Sequence, residues 1–207
     1  MTQATREADY FATRYGLTAT HSEVLAASKT IAPCKTLDLG SGRGRNTLYL
    51  SDLGFDVTAV DANANAIGIL EQIVAAEDIG NVRTAVYDIN QAALDEKYDF
   101  IVSTVVLMFL QADRIPAVIA NMQDSTQPGG YNLVVCAMDT PAYPCDRFSF
   151  KFKEGELRDY YAGWTLHKYN EDVGQLHATD AAGNRLQFQF ATLLAQKPAA
   201  SAPNRVA

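Results

Sequence analysis

The stretch Thr36-Leu37-Asp38-Leu39-Gly40-Ser41-Gly42-Arg43-Gly44-Arg45-Asn46 decides how this chain is read. Its β-favouring positions run into a turn containing three glycines, and Asn46-Thr47-Leu48-Tyr49-Leu50 then starts a helix. Glycine takes positive φ without steric cost and lets a ligand approach the backbone closely. A helix start adds N–H groups that have no partner within the helix. Strand, glycine turn and helix start together make a cofactor cradle; the plain alternative is an ordinary strand-to-helix connection.

The spacing narrows the choice of cofactor. A dinucleotide fingerprint would place its third glycine at position 45, where Arg45 stands. The glycines fall at 40, 42 and 44 instead, and Asp38 sits at the mouth of the strand. A carboxylate there suits a cationic ligand better than a pyrophosphate. S-adenosylmethionine carries an ammonium and a sulfonium and no phosphate, and Asp-x-Gly-x-Gly-x-Gly resembles motif I of the Rossmann-like methyltransferases.

The elements around this turn alternate. Val57 to Asp61 is a second strand ending in an acid, 21 residues beyond Gly40. In a βαβ unit that distance puts a carboxylate beside ribose hydroxyls, although aspartate also caps helices. Ile67, Leu70, Ile73 and Val74 stripe the next helix. Arg83 to Tyr87 is a strand closed by Asp88, and Tyr98 to Ser103 is a buried-type strand continued by the apolar run Thr104 to Leu110. Ile115 to Met122 is helical, and Pro128-Gly129-Gly130 breaks the chain before a fifth strand, Tyr131 to Cys136. This order predicts an α/β fold with a doubly wound, mostly parallel sheet. Ligands of such sheets sit at the strand carboxyl ends, where Asp38, Gly40, Asp61, Asp88, Ser103 and Thr104 all fall.

Both ends of the chain add to this core. Tyr10, Phe11 and Tyr15 form an aromatic segment, and Thr20-His21-Ser22-Glu23 has capping-box spacing with Thr20 as N-cap of a helix ending near Pro33. Residues from about 5 to 33 are expected to form a helical lid over the strand carboxyl ends. His21 reads either as a ligand or base or as a first-turn surface histidine. After residue 139 come a proline- and aromatic-rich loop to Phe152, a short helix from Glu154 to Tyr161 and a strand from Trp164 to Tyr169. A turn at Ala181 to Asn184 and a last strand, Arg185 to Ala195, follow. Residues 1–197 are expected to be one domain and 198–207 a disordered tail.

Composition excludes some functions. A 207-residue chain with a formal charge of −7 offers no overall basic face to a nucleic acid. No apolar run is long enough to cross a bilayer, and Met1-Thr2-Gln3-Ala4 leads into charged residues, so the expected compartment is the cytoplasm. Cys34, Cys136 and Cys145 have no metal-ligand spacing, so no metal site is expected.

The substrate half then carries a specific resemblance. Thr20-His21-Ser22-Glu23-Val24-Leu25, Gly44-Arg45-Asn46 and Tyr98 to Leu110 are similar to the tellurite-resistance methyltransferases of the TehB family. So are Pro128-Gly129-Gly130-Tyr131-Asn132, Lys153-Glu154-Gly155-Glu156-Leu157 and Tyr169-Asn170-Glu171-Asp172-Val173-Gly174. The resemblance spans Tyr10 to Lys197 and implies an S-adenosylmethionine-dependent methyltransferase with an antiparallel last strand, acting on tellurite and perhaps selenite. It implies a cofactor site at Arg14, Asp38, Gly40, Gly42, Arg45, Asn46, Asp61, Ala62, Asp88, Ile89, Ser103 and Thr104. It gives the acceptor to His177 and Arg185, with His177 as oxyanion ligand or general base. Ser41 and Arg43 stand where the family often has cysteine and asparagine, and Ala178 where a second basic residue is expected. A small organic acceptor and a non-catalytic cofactor-binding role are the competing expectations.

Overall fold

The computed structural model describes residues 6–179, 183 and 185–200; for 176–179 it describes the backbone alone. One seven-stranded sheet runs through the molecule in the order β3-β2-β1-β4-β5-β7-β6. The glycine turn joins β1 (Lys35–Leu39) to α3 (Arg45–Asp52). β2 (Asp56–Asp61) leads through α4 (Ala64–Ala76) to β3 (Val82–Val86), all in parallel register with β1. β4 (Tyr98–Thr104) pairs parallel with β1 on its other side and with β5 (Thr126–Ala137) beyond, α5 (Ile115–Asp124) making the crossover. Strand order reverses between β1 and β4, so the crevice at their carboxyl ends is the topological switch point of the sheet.

Alternation along each strand divides the core between two faces. Leu37 and Leu39 face α5, where Ile115, Val118, Ile119 and Met122 are buried. Thr36 and Asp38 lie on the other face, under α3. There Leu50 joins Val57, Phe100 and Val102, and Leu48 joins Leu70 and Ile73 of α4. Gly44, at φ +90°, lets α3 approach α4: a Cβ there would lie 2.3 Å from Cδ1 of Leu70.

The break expected at Pro128-Gly129-Gly130 is instead a bulge inside β5. Tyr98 pairs with Thr126 but Phe100 pairs with Tyr131, so the four residues from Gln127 to Gly130 loop out opposite the single Asp99. Lys197 closes the loop, its Nζ donating to the carbonyls of Gln123 and Thr126. Pro128 is tolerated because a bulge asks for no ladder N–H at that point.

The carboxyl-terminal half holds α6 (Glu156–Tyr160) and a long antiparallel pair, β6 (Thr165–Thr179) and β7 (Arg185–Gln196). β6 is far longer than the Trp164–Tyr169 strand the sequence suggests. Pairing with β7 carries it through Tyr169-Asn170-Glu171-Asp172, whose polar composition hides a strand.

The amino-terminal segment departs from the expected lid. α1 (Tyr10–Tyr15) packs against α3 and α4, with Phe11 buried beside Leu48 and Leu70. Arg6, Tyr10, Arg14 and Tyr15 all converge on Glu77, the C-cap of α4. A helix returning to a parallel strand ends at the amino side of the sheet, so Glu77 anchors α1 away from the crevice. Leu17 and Thr18, just before α2 (Ser22–Ala27), line the crevice. The N-cap of α2 is His21, whose Nδ1 accepts from the Glu23 N–H at 3.2 Å. Thr20 donates instead to the Arg45 carbonyl, which ties the segment to the start of α3. Residues 201–207 of the expected tail lie outside the described residues.

Candidate cofactor and acceptor site

Three cavities meet at the strand carboxyl ends. The first, of about 230 Å³, lies between the glycine turn and Leu17-Thr18, and is closed by Asn46 and Thr104. The second, of about 340 Å³, runs from Gly40 past Asp61, Ala62, Asp88 and Ile89 to Phe109. Gly40, Val105 and Val106 line both, so the two form one groove over the ends of β1, β2 and β4. The third, of about 380 Å³, opens on the other side of Val105, between the start of α2 and strands β6 and β7.

The turn at the centre has no room for side chains. Gly40 has φ +84°, and a Cβ there would lie 2.5 Å from both methyls of Val106. Asp61 holds the turn in place: its Oδ2 accepts from the Gly42 N–H at 2.8 Å and its Oδ1 from the Asn63 N–H at 2.8 Å. The helix cap that Asp61 offered in the sequence is taken by Asn63, whose Oδ1 accepts from Asn65 and Ala66. Asp88 caps a single 3-10 turn and accepts from Asn90, which itself lines the groove. Asn46 links three elements, accepting from the His21 N–H at 3.1 Å and donating to Thr104 Oγ1 at 3.0 Å.

Two charged groups lie under or beside the turn. Asp38 is fully buried and accepts from Thr47 Oγ1 at 2.6 Å. Burial pushes its carboxyl up to about 6, against the hydrogen bond from Thr47 and the charge of Arg45, both of which pull it down. Arg45 is lowered by its own burial, with Asp38 opposing. Arg45 lines both the first and the third cavity. Asp38 lies beneath the turn and lines neither, so its charge reaches the groove through space.

A cofactor of the expected kind fits this groove on the structure's own terms. The Ser41 hydroxyl is buried in the wall of the first cavity with no hydrogen-bond partner. Such a group costs about 1–3 kcal/mol unless something bonds it. The buried charge of Asp38 favours a cation in the same place. At the far end, Phe109 is 64 % exposed and offers an aromatic face to a flat ring.

Of the residues expected at the cofactor site, Gly40, Gly42, Arg45, Asn46, Asp61, Ala62, Asp88, Ile89 and Thr104 line the groove. Ser103 is buried behind it with its hydroxyl unpaired, and Arg14 is held by Glu77 on the far side of α4. Arg185 is exposed at the start of β7. It lies five positions before Phe190, which walls the third cavity; that spacing is about 17 Å of strand. The His177 side chain lies outside the described residues. Leu17, Thr18, Asn90, Val105 and Phe109 line the groove without having been foreseen. Val105 is a β-branched residue at φ +61°, a rare and costly conformation, and it touches all three cavities. No composition signal announces such a residue.

The sheet order, the glycine turn and the groove at the switch point define a Rossmann-like S-adenosylmethionine-dependent methyltransferase fold. The comparisons carry this to a family. The model of "Tellurite resistance protein TehB" matches residues 3–194. The chain belongs to the TehB family. It is 53 % identical over 193 residues to the "Probable S-adenosyl-L-methionine-dependent methyltransferase TehB" of Haemophilus influenzae strain 10810, covering 93 % of this chain and 67 % of that protein. It is 56 % identical to a protein named "Hemagglutinin 1" from Eikenella corrodens, over 93 % of this chain and 64 % of the other. The crystal structure of TehB from Haemophilus influenzae superposes with a TM-score of 0.90 at 53 % identity, over 92 % of this chain and 66 % of that one. The chain thus spans about two thirds of the length of these relatives. The cofactor that family and fold assign to it is S-adenosylmethionine.

Proposed function

We propose that this chain transfers the methyl group of S-adenosylmethionine to tellurite, with selenite as a second acceptor. The observation that carries the reading is the TehB family match across residues 3–194, which includes both the groove and the acceptor side of the molecule. The continuous groove from Leu17 to Phe109 supports it.

Bound S-adenosylmethionine would supply an electrophilic methyl: its C–S bond breaks with the pair left on sulfur, as the tellurium(IV) lone pair forms the new C–Te bond. No proton leaves the attacking atom, so the chain's task is positioning and charge. Gly40 and Gly42 let backbone line the ligand. Asp38 and Ser41 would favour its ammonium and carboxylate ends, Asp61 would hold its ribose, and Asp88 would border it. In this reading Arg14 joins the cofactor only if it leaves Glu77. His177 and Arg185 take the oxyanion from the β6–β7 hairpin, Arg185 with its forked donor set.

The test is turnover with labelled S-adenosylmethionine and tellurite, selenite or a panel of small organic acceptors. Label in a volatile or extractable tellurium product supports the reading, and label in an organic acceptor alone contradicts it. The His177→Ala, Arg185→Ala double variant should bind S-adenosylhomocysteine as the parent does and lose most turnover.

A further inference from the structure

Arg45 stands where the groove meets the third cavity. Among the described residues, Arg45 and Val105 alone line both the first cavity and the third. An acceptor in the third cavity would meet a methyl donor in the groove at this shared wall, and Arg45 is the charged residue of the pair. For the fold alone its placement is costly. The side chain is half-buried, and its Nη1 makes one long hydrogen bond, to the Ala19 carbonyl at 3.4 Å. Among the described residues no carboxylate lies within ion-pair distance of it. Arg45 is also the first residue of α3, where the helix end is itself positive and disfavours a cation. Burial works against its charged form, and Asp38 offsets this only through space, from beneath the turn. A half-buried cation placed in this way lacks a counter-ion that an anion in the third cavity would supply.

The rest of the cavity lining permits such an anion. Glu23 is neutralised, since both of its oxygens accept from Lys168 Nζ, at 2.8 and 2.7 Å. Asp172 is exposed, so water and salt screen its charge. Ser22, Asn170, Gln175 and Thr192 add neutral hydrogen-bonding groups, Asn170 and Thr192 as register partners on β6 and β7. The His21 ring is already engaged, and the site asks nothing of it. Resting on the activity proposed above, we propose that Arg45 holds the oxyanion acceptor against the donor's methyl group, from the cofactor side, as a third cation beside His177 and Arg185. This moves Arg45 from the cofactor, where the family resemblance puts it, to the acceptor. A guanidinium offers two parallel N–H donors to the oxygens of such an anion. Each methyl transfer sets one negative charge of the acceptor against the positive charge of the sulfonium, so the anion is most charged before the reaction. Arg45 therefore holds the reactant at least as well as the transition state, and its loss is read in the acceptor's KM rather than in kcat.

The experiment titrates selenite by calorimetry into the full chain loaded with S-adenosylhomocysteine, for the parent, Arg45→Gln and Arg45→Lys. Glutamine keeps an N–H donor for the Ala19 carbonyl and removes the charge. Selenite should bind the parent, and Arg45→Gln should weaken that binding about tenfold or more, the scale of a lost hydrogen bond to a charged group. Arg45→Lys keeps the charge without the fork and should show an intermediate loss. It carries the test alone if Arg45→Gln does not fold, and selenite affinity equal to the parent's would then overturn the assignment. S-adenosylhomocysteine, and methylthioadenosine, which lacks the amino-acid end, should bind Arg45→Gln as they bind the parent. In turnover, Arg45→Gln should raise the acceptor's KM. No selenite binding by the parent, unaltered selenite affinity in Arg45→Gln, equal losses in the two variants, or a fall in kcat at unchanged KM would each overturn the assignment. Weakened S-adenosylhomocysteine binding in Arg45→Gln would also overturn it, and with methylthioadenosine unaffected would give Arg45 to the cofactor's carboxylate. The two proposals fail separately. Selenite binding that needs Arg45, without methylation of selenite or tellurite, supports the site and sinks the activity. Methylation with unaltered selenite affinity in Arg45→Gln does the reverse.

Discussion

Replacing Asp38 by asparagine should make the protein more stable and its cofactor grip weaker. Asp38 is buried under the glycine turn, and its carboxyl is raised from an ordinary 3.8 to about 6. Between those values the folded state holds a proton that the unfolded state has released. Stability therefore falls as pH rises through this window, and the whole cost is present above about pH 6. A rise of roughly two units corresponds to about 3 kcal/mol at pH 8. Asparagine keeps an oxygen for Thr47 Oγ1 but adds an amide NH₂ that needs its own partner, which returns about 1–2 kcal/mol of that gain. The net expectation at pH 8 is a gain of about 1–2 kcal/mol, or roughly 2–8 °C in Tm. At pH 5 the parent's own carboxyl is largely protonated, and the difference should shrink towards zero or reverse. Urea melts of both proteins at pH 5 and pH 8 measure this. Without its carboxylate, the variant should bind S-adenosylhomocysteine about tenfold more weakly at pH 8, a loss of about 1.4 kcal/mol. A variant less stable than its parent at pH 8, or a difference identical at both pH values, would refute the reasoning.

Other changes test other parts of the site. Asp61→Ala removes the acceptor for both the Gly42 and the Asn63 N–H, so calorimetry should show S-adenosylhomocysteine binding weakened by about 1–3 kcal/mol; unchanged affinity would mean the turn holds itself. Val105→Gly removes a β-branched side chain from φ +61°, so Tm should hold or rise while methyl transfer falls at least tenfold; a fall in Tm of several degrees would show that the side chain's packing outweighs its strain. Glu77→Gln loosens the grip on Arg6, Arg14 and Tyr15, and hydrogen exchange should speed up in residues 10–15 with or without cofactor. By contrast, residues 17–21, which border the first and third cavities, should exchange more slowly when S-adenosylhomocysteine is added; equal rates would detach them from the site.

The parallel half of the fold was legible because its signals are local. Each strand from β1 to β3 is a short run closed by glycine or an acid, β4 is an unbroken apolar run, and the strand order follows from alternation with helices. The groove was legible for the same reason: Gly40, Asp61, Asp88 and Thr104 stand at strand ends, and topology brings strand ends together. What escaped depends on tertiary partners. The β5 bulge is held by Lys197, 67 residues beyond Gly130, through the Gly130 carbonyl and the end of α5. Arg14 has an arginine's usual freedom in sequence, and only the position of Glu77 decides where it goes. His21 outcompeted Thr20 as N-cap because the Thr20 hydroxyl found the Arg45 carbonyl. Val105 carries its meaning in a backbone angle, which residue type alone does not reveal.

The central claim is that this chain moves a methyl group onto a chalcogen oxyanion, and one assay addresses it most directly. The purified protein is incubated with methyl-labelled S-adenosylmethionine and tellurite, and label is followed into methylated tellurium. The account predicts labelled product in step with S-adenosylhomocysteine release, and roughly 5- to 150-fold less of it when Asp61→Ala replaces the parent at subsaturating cofactor. Tight S-adenosylhomocysteine binding by the parent with no label transferred to tellurite would contradict it.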